Sequence, residues 1–324
     1  MSGVVTRKVS ADEADIRLDR WFKRHYPALG HGKLEKLLRT GQIRVDGGRA
    51  KAADRLQPEQ QIRIPPLSEE ETAAPKPPPR RVDPQAIRDL EKRILYKDDW
   101  VIALNKPAGL ATQGGTGQAI HLDMMLDGLR YGGDRPRLVH RLDKDTSGVL
   151  LLARSASAAA KLAACFRDKT TRKLYWALTV GTPRPRQGKI DLPLAKVAVA
   201  GGERIMTEGE EGKPAVTLFH TIDHARDKLA WLGLMPLTGR THQLRAHCLA
   251  LGCPIVGDVK YGGEVARLDT EGVPNQLHLH ARRIEMPHPN GGLLRVVAPP
   301  PKHIRDSLKV LGLVDDETAD EFPG

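Results

Sequence analysis

Aromatic side chains are scarce in this 324-residue chain, at 4% of the composition. Its interior must therefore be built mainly from aliphatic residues. Cysteine is rarer still. Cys165, Cys248 and Cys253 are too few, and odd in number, for a disulfide framework, and reduced thiols in the cytosol fit them better. No apolar run approaches the roughly 18 residues that a membrane helix needs, and the first residues lack the apolar core of a secretory leader. A cytoplasmic protein without a membrane partner is expected. Acidic residues are in the minority: 51 Lys and Arg against 40 Asp and Glu leave a net charge of +11. Such a balance suits a polyanion such as nucleic acid.

The length allows one to three domains. Residues 17–64 read as a small module. Leu18, Trp21, Phe22 and His25 fall at helical spacing, as do Leu34, Leu37 and Leu38, and Gly41 can stop the second helix. Ile43 and Val45 then alternate around Asp46-Gly47, a hairpin signal, and Gln61–Ile64 closes as another strand. Between Arg17 and Arg63 there are 12 basic and 5 acidic residues, so most of the net charge lies here. A Pro-rich linker at 65–84 is expected to be an extended, poorly ordered tether. A larger domain over 85–312 follows, then a frayed acidic tail at 313–324. In the larger domain helices are predicted at 85–93, 155–167, 241–251 and 302–311. Strands are predicted at 100–105, 149–153, 173–180, 215–222, 229–236, 277–284 and 293–298. The mixture predicts an α+β fold with a large mixed, mainly antiparallel sheet.

The chain is organised around LVHRLDKDTSGVLLLA at 138–153, where a dense polar turn enters a short apolar run. A rigid strand can position such a loop for chemistry, although Asp, Thr, Ser and Gly also serve ordinary turns. Three further stretches stand out: Asn105-Lys106-Pro107-Ala108-Gly109, the strand-like Lys173-Leu174-Tyr175-Trp176-Ala177, and Leu237-Thr238-Gly239-Arg240-Thr241-His242-Gln243-Leu244-Arg245. The last reads as a helix start with Thr241 as its cap. Gly114-Gly115-Thr116-Gly117 lacks the Lys-Ser/Thr pair of a phosphate loop, which argues against nucleotide binding. His247, Cys248, Cys253, His278 and His280 could be weighed as zinc ligands, but no paired CxxC supports them, and no metal is expected.

HRLDKDTSG at 140–148, with the NKPxG, K-x-Y-x-A and LxTGRTHQ[IL]R patterns, resembles the pseudouridine synthases that act on ribosomal and transfer RNA. GGTG at 114–117, Glu203-Arg204-Ile205 and Glu211-Gly212-Lys213-Pro214 resemble the branch typified by ribosomal large-subunit pseudouridine synthase C, with Gln113 where that branch often has His. GKLEKLLRTGQIRVDG at 32–47 resembles the small RNA-binding module named after ribosomal protein S-four. The resemblance implies Asp143 as the catalytic carboxylate, Tyr175 stacked on the uracil, and Arg245 paired with the aspartate. It implies Leu244 packed against the base, Arg240 in support, and the NKPxG segment beside the catalytic loop. Arg141 is the candidate wedge for an extruded base. Lys33, Lys36, Arg39 and Arg44 are the candidate phosphate contacts. No cofactor is implied; the partner implied is RNA, most specifically 23S ribosomal RNA, bound by a monomer.

A buried carboxylate tends to be neutralised, and a nearby guanidinium opposes this, so an Asp143–Arg245 pair is chemically apt. Whether Asp143 is nucleophile or base stays open. Asp145, two residues on, would face away in an extended segment and is expected to be structural. Two other functions compete. A hydrolase with Asp143 and Asp145 as its carboxylate pair would need them to flank the scissile bond. A non-catalytic RNA-binding or ribosome-assembly factor would keep the N-terminal module alone in use.

Overall fold

The computed structural model describes residues 3–10, 13–68, 82–114, 120–199, 202–207, 212–313, 320 and 322. It divides into two compact units, 1–81 and 82–324. Among the described residues no helix is long and apolar enough to cross a membrane.

In the first unit, strand β1 (Val5–Lys8) precedes helices α1 (Leu18–His25) and α2 (His31–Arg39). Strands β2 (Arg44–Val45), β3 (Gly48–Arg49) and β4 (Gln61–Ile64) follow. The sheet order is β1-β4-β2-β3. The expected turn forms at Asp46-Gly47, both with positive φ (48° and 76°), which gives the backbone twist a two-residue hairpin requires. The helices turn Leu18, Trp21, Phe22, Leu34, Leu37 and Leu38 into one core with Ile43, Ile62 and Ile64. Leu67, from the start of the expected linker, is also buried there; residues 69–81 of that linker lie outside the described residues. Strand β1 was not legible because all four of its residues are exposed.

Glu13 is 4% exposed and ties this core together. It accepts from the Trp21 indole at 3.0 Å, sits 2.5 Å from the His25 ring and accepts from the Ser10 amide at 3.2 Å. Burial works to raise its pKa, but the hydrogen bonds from His25, Ser10 and Trp21 outweigh it and hold the carboxyl at about 2. A carboxyl depressed in the folded state contributes stability above its unfolded pKa, here lost as pH falls from about 4.5 towards 2. Glu13→Gln is expected to cost this unit about 2–3 kcal/mol at pH 7. Native-state hydrogen exchange of the α1 and α2 amides measures it, and wild-type protection there would disprove it.

The second unit opens on α3 (Pro84–Glu91), capped by Asp83, whose carboxylate accepts from the Gln85 amide at 2.8 Å. In chain order follow β5 (Ile94–Lys97), β6 (Val101–Lys106), α4 (Leu122–Met125) with a 3-10 turn at Leu126–Leu129, β7 (Arg137–Leu138) and β8 (Ser147–Ala153). Next come α5 (Ala156–Arg167), β9 (Arg172–Val180), β10 (Gln187–Asp191), β11 (Ala195–Val199), β12 (Gly202–Met206), β13 (Val216–Ala225) and β14 (Leu229–Pro236). Last are α6 (Gln243–Ala250), α7 (Val259–Gly262), β15 (Leu279–Pro287), β16 (Leu293–Val297) and α8 (Lys302–Leu311). The main sheet runs β10-β13-β14-β9-β15-β8-β6-β5, with β16 on β15 and β7 on β8. Among the described strands only β15 and β8 pair in parallel, so the sheet is mixed.

Strand β8 is buried at every residue, as an uninterrupted aliphatic run predicts for a strand covered on both faces. Val149 and Leu151 join Ala158 and Leu162 of α5 on one side. Leu150 and Leu152 join Leu90, Leu122 and Leu126 on the other. Gly148, the last residue of the polar motif, has φ 111°. A Cβ there would lie 2.2 Å from the Ala281 carbonyl oxygen. Only glycine allows β8 and β15 to meet at this point.

The four expected helices are present, but the reading missed the short α4 and α7. It also missed strands β5, β7, β10, β11 and β12. Strand β10 buries only Ile190, leaving no periodic pattern to detect. In the tail, Asp320 and Phe322 are docked rather than frayed: Asp320 receives two bonds from Arg282 at 2.8 and 2.9 Å, and Phe322 packs edge-on to His220. The other tail residues beyond Leu313 lie outside the described residues, as do Gly115-Thr116-Gly117 and Glu211.

Candidate active site

The polar motif is locked to β8 before it reaches the cavity. The amide of Leu151 donates to His140 Nε2 at 2.8 Å, and the His140 ring packs on Phe166. Burial pushes His140 down to about 3, so the ring is neutral and can accept that bond. The Asn105–Leu110 segment braces the next stretch. Lys106, fully buried, donates to the carbonyls of Pro107 (2.9 Å), Leu110 (2.8 Å) and Lys144 (3.0 Å). Thr112 donates to the Leu142 carbonyl at 2.7 Å, and the Gly109 amide donates to Lys144 at 2.9 Å. Burial pulls the Lys106 amine down to about 7, against the pull of Asp145 and Asp143.

Beyond that brace lies a cavity of about 720 Å³, lined by Arg141, Asp143, Tyr175, Arg240, Leu244 and Arg245. All six residues selected for catalysis or substrate binding thus meet in one place. Tyr175 comes from β9, opposite Ala281 of β15 and Leu234 of β14. Burial first, then the charge of Asp143, raises its phenol pKa, so it stays protonated. Leu244 and Arg245 come from the first turn of α6. Leu244 packs among Ala177, Leu234 and Leu279. Arg141 is exposed at the cavity wall, and Arg240, also exposed, donates to the Pro214 carbonyl at 3.1 Å. Lys33, Lys36, Arg39 and Arg44 lie in the first unit. The first three share the exposed face of α2, and Arg44 donates to the Gly41 and Gly47 carbonyls at 3.1 Å each.

Arg245 stands within ion-pair distance of Asp143, as the resemblance implies, but makes a tighter pair elsewhere. Its Nε and Nη2 form a bidentate pair with Asp258 at 2.7 and 2.6 Å, while its Nη1 stands 3.9 Å from Asp143 Oδ2. Asp258 is 1% exposed, and it went unassigned because nothing in Gly257-Asp258 marks it as a buried ion-pair partner. Thr241 is not the cap of α6. Gln243 Oε1 accepts from Thr238 Oγ1 (2.7 Å) and the Arg240 amide (3.0 Å), which folds the loop back on itself. His242 then occupies the cap position at φ 51°, ψ 21°, without a side-chain capping bond. Its Nε2 is 3.7 Å from Asp143 Oδ2 and its Nδ1 is 2.9 Å from the Tyr261 hydroxyl. Asp145 lies in the tight turn closed by the Thr146 amide on the Asp143 carbonyl at 3.2 Å, not in an extended segment, and is exposed.

The three histidines weighed as metal ligands are otherwise engaged. His247 bonds Thr217 and the Leu192 carbonyl, His278 bonds Ser307 and the Gln276 carbonyl, and His280 bonds Ser147 and the Ala298 carbonyl. Both nitrogens of each ring are therefore occupied. The cavity offers a carboxylate beside a fixed guanidinium, with an aromatic and an aliphatic wall. That suits holding a planar base while a bond at its sugar is remade.

Residues 100–250 match the family model described as RNA pseudouridylate synthase. The ribosomal large subunit pseudouridine synthase C of Pasteurella multocida is 36% identical over 313 residues, covering 95% of this chain and 93% of that protein. The chain belongs to the RNA pseudouridylate synthase family. The same-named enzyme of Rickettsia conorii is 40% identical to this pseudouridine synthase over 253 residues, 76% of this chain and 82% of its own. Among solved structures, human RNA pseudouridylate synthase domain containing 4 superposes with a TM-score of 0.61 at 28% identity, covering 71% of this chain and 97% of that one. This pseudouridine synthase is therefore an isomerase acting on RNA, and the hydrolase and non-catalytic readings fall away.

Proposed function

We propose that this pseudouridine synthase modifies uridines of 23S ribosomal RNA, with Asp143 as the catalytic carboxylate. The observation that carries the proposal is the convergence of Asp143, Tyr175, Leu244 and Arg245 on one cavity, in a chain that matches large-subunit enzymes along 95% of its length. The bond from ribose to ring N1 breaks, the uracil turns, and C5 bonds to the same sugar carbon; the proton lost from C5 is balanced by one gained at N1. The target must first leave the helical stack. Arg141, exposed at the cavity wall, suits the vacated place. Tyr175 replaces the lost stacking, and Leu244 bounds the detached base. Asp143 either attacks the sugar carbon or removes a sugar proton, and in both cases must be ionised.

The N-terminal unit is proposed to be an S-four-like RNA-binding module. Lys33, Lys36, Arg39 and Arg44 contact phosphates and so position RNA without reading its sequence. Domains over 1–64, 85–312 and an acidic tail, acting as a cytoplasmic monomer, complete the proposal. Asp145 keeps a structural role. Asp145→Asn is expected to leave the rate within about threefold of wild type, as for an exposed turn residue, and a loss comparable to that of an Asp143 variant would transfer the catalytic role to it.

Mapping pseudouridines in ribosomal RNA from cells with and without the protein tests the target. Specific 23S positions should revert to uridine in its absence and be restored by the wild-type chain. An unchanged 23S map would refute the target assignment.

A further inference from the structure

His242 combines three features that the reaction outlined above does not use. It holds a left-handed backbone conformation, at φ 51° and ψ 21°, which an L side chain with a Cβ adopts at a cost. Its ring joins Tyr261 to Asp143: Nδ1 lies 2.9 Å from the Tyr261 hydroxyl and Nε2 lies 3.7 Å from Asp143 Oδ2. It shares that oxygen with Arg245, whose Nη1 is 3.9 Å away. Among the described residues no donor reaches Asp143 Oδ1.

The contacts at Tyr261 accommodate one tautomer in particular. The Ile205 amide donates to the Tyr261 oxygen at 3.3 Å, and the phenol proton is available to the lone pair of a neutral His242 at Nδ1. A neutral ring accepting at Nδ1 carries its own proton at Nε2, towards Asp143. Burial lowers the His242 pKa, Asp143 raises it, Arg245 and Lys260 lower it, and Asp258 raises it, with a net fall, so the ring is neutral at neutral pH. Tyr261 packs edge-on to the ring at 5.6 Å, which holds its plane.

We propose that His242 is a positioning residue that, oriented by Tyr261, donates from Nε2 to one oxygen of Asp143 and so reserves the other oxygen for the ribose. The role rests on Asp143 being the catalytic carboxylate, and it is the same for attack and for proton removal. In the free protein the contact is longer than a hydrogen bond; it closes when RNA fills the cavity, as catalytic contacts commonly do. The left-handed backbone is what aims a side chain at the start of α6 back across the loop to Asp143.

The test compares wild type, Asp143→Asn, His242→Gly, His242→Gln and Tyr261→Phe. Single-turnover tritium release from a 23S ribosomal RNA transcript labelled at uridine C5 gives the rate, a filter-binding titration gives the affinity, and thermal unfolding gives the stability. Glycine takes a left-handed conformation without strain, so His242→Gly should unfold no earlier than wild type. Its rate should nevertheless fall about 10- to 100-fold, the range for a hydrogen bond to a charged group, with affinity unchanged. Glutamine can place an N–H near the Nε2 position and should recover much of that loss. Tyr261→Phe, which removes the hydroxyl that faces Nδ1, should be slowed less than the glycine variant. A wild-type rate in His242→Gly, or a glutamine variant no faster than the glycine one, overturns the role of His242. Full activity in Asp143→Asn overturns the assignment beneath it instead.

Discussion

Asp143→Asn is expected to lower pseudouridine formation by at least about a thousandfold, the scale on which enzymes lose a group that bonds to the reacting atoms. Asparagine keeps the shape but can neither attack the sugar nor accept its proton. Folding should be spared. The Asp143 side chain is 21% exposed, and its nearest recorded partners, the His242 ring and the Arg245 guanidinium, stand 3.7 and 3.9 Å away. The turn is held instead by its backbone carbonyl, which accepts from Thr146. RNA affinity should be retained or rise slightly, because a negative charge near the phosphates is removed. Quantifying pseudouridine in RNA after incubation with excess enzyme decides the matter, and a rate within tenfold of wild type would remove Asp143 from the chemistry.

Asp258→Ala should be the most damaging change outside the cavity wall. Arg245 is 8% exposed and Asp258 1%; deleting one member strands the other's charge in the interior. General experience with such pairs puts the cost at about 3–5 kcal/mol, or roughly 6–20 °C in the unfolding midpoint of a domain this size. Asp258 also accepts from the Tyr261 amide at 3.2 Å, so Tyr261 and His242 should shift with it. The double variant Arg245→Met with Asp258→Leu separates the effects. Replacing both charges by apolar groups should return much of the stability while activity stays lost. A single Asp258→Ala variant that melts with wild type would show that Arg245 finds another anion.

The central sheet was legible because its strands are dense aliphatic runs: β6, β8, β9 and β14 sit under helices on both faces, and their composition says so. Strands β1 and β10 were not, since their stability comes from pairing rather than burial. The cavity residues were legible through short motifs, each with its own peculiar residue types. What the motifs did not carry was the pairing of Arg245 with Asp258. Arg245 lies 13 positions before Asp258 and 102 after Asp143, and only the geometry gives its bidentate bond to the former. His242 was visible as a letter in LxTGRTHQ[IL]R, but its left-handed backbone follows from the side chain of Gln243 reaching back to Arg240. A loop that bends around its own glutamine leaves no periodic trace.

The β8–β15 contact, where Ser147 and Gly148 meet His280 and Ala281, has a bearing on biosynthesis. The segment that carries Asp143 emerges early, yet its neighbour in the sheet is translated more than 130 residues later. Loop closure over that span is slow, and it cannot begin before the later strand leaves the exit tunnel. A half-made polypeptide therefore presents the Asp143 loop before the strand that pairs beside it exists.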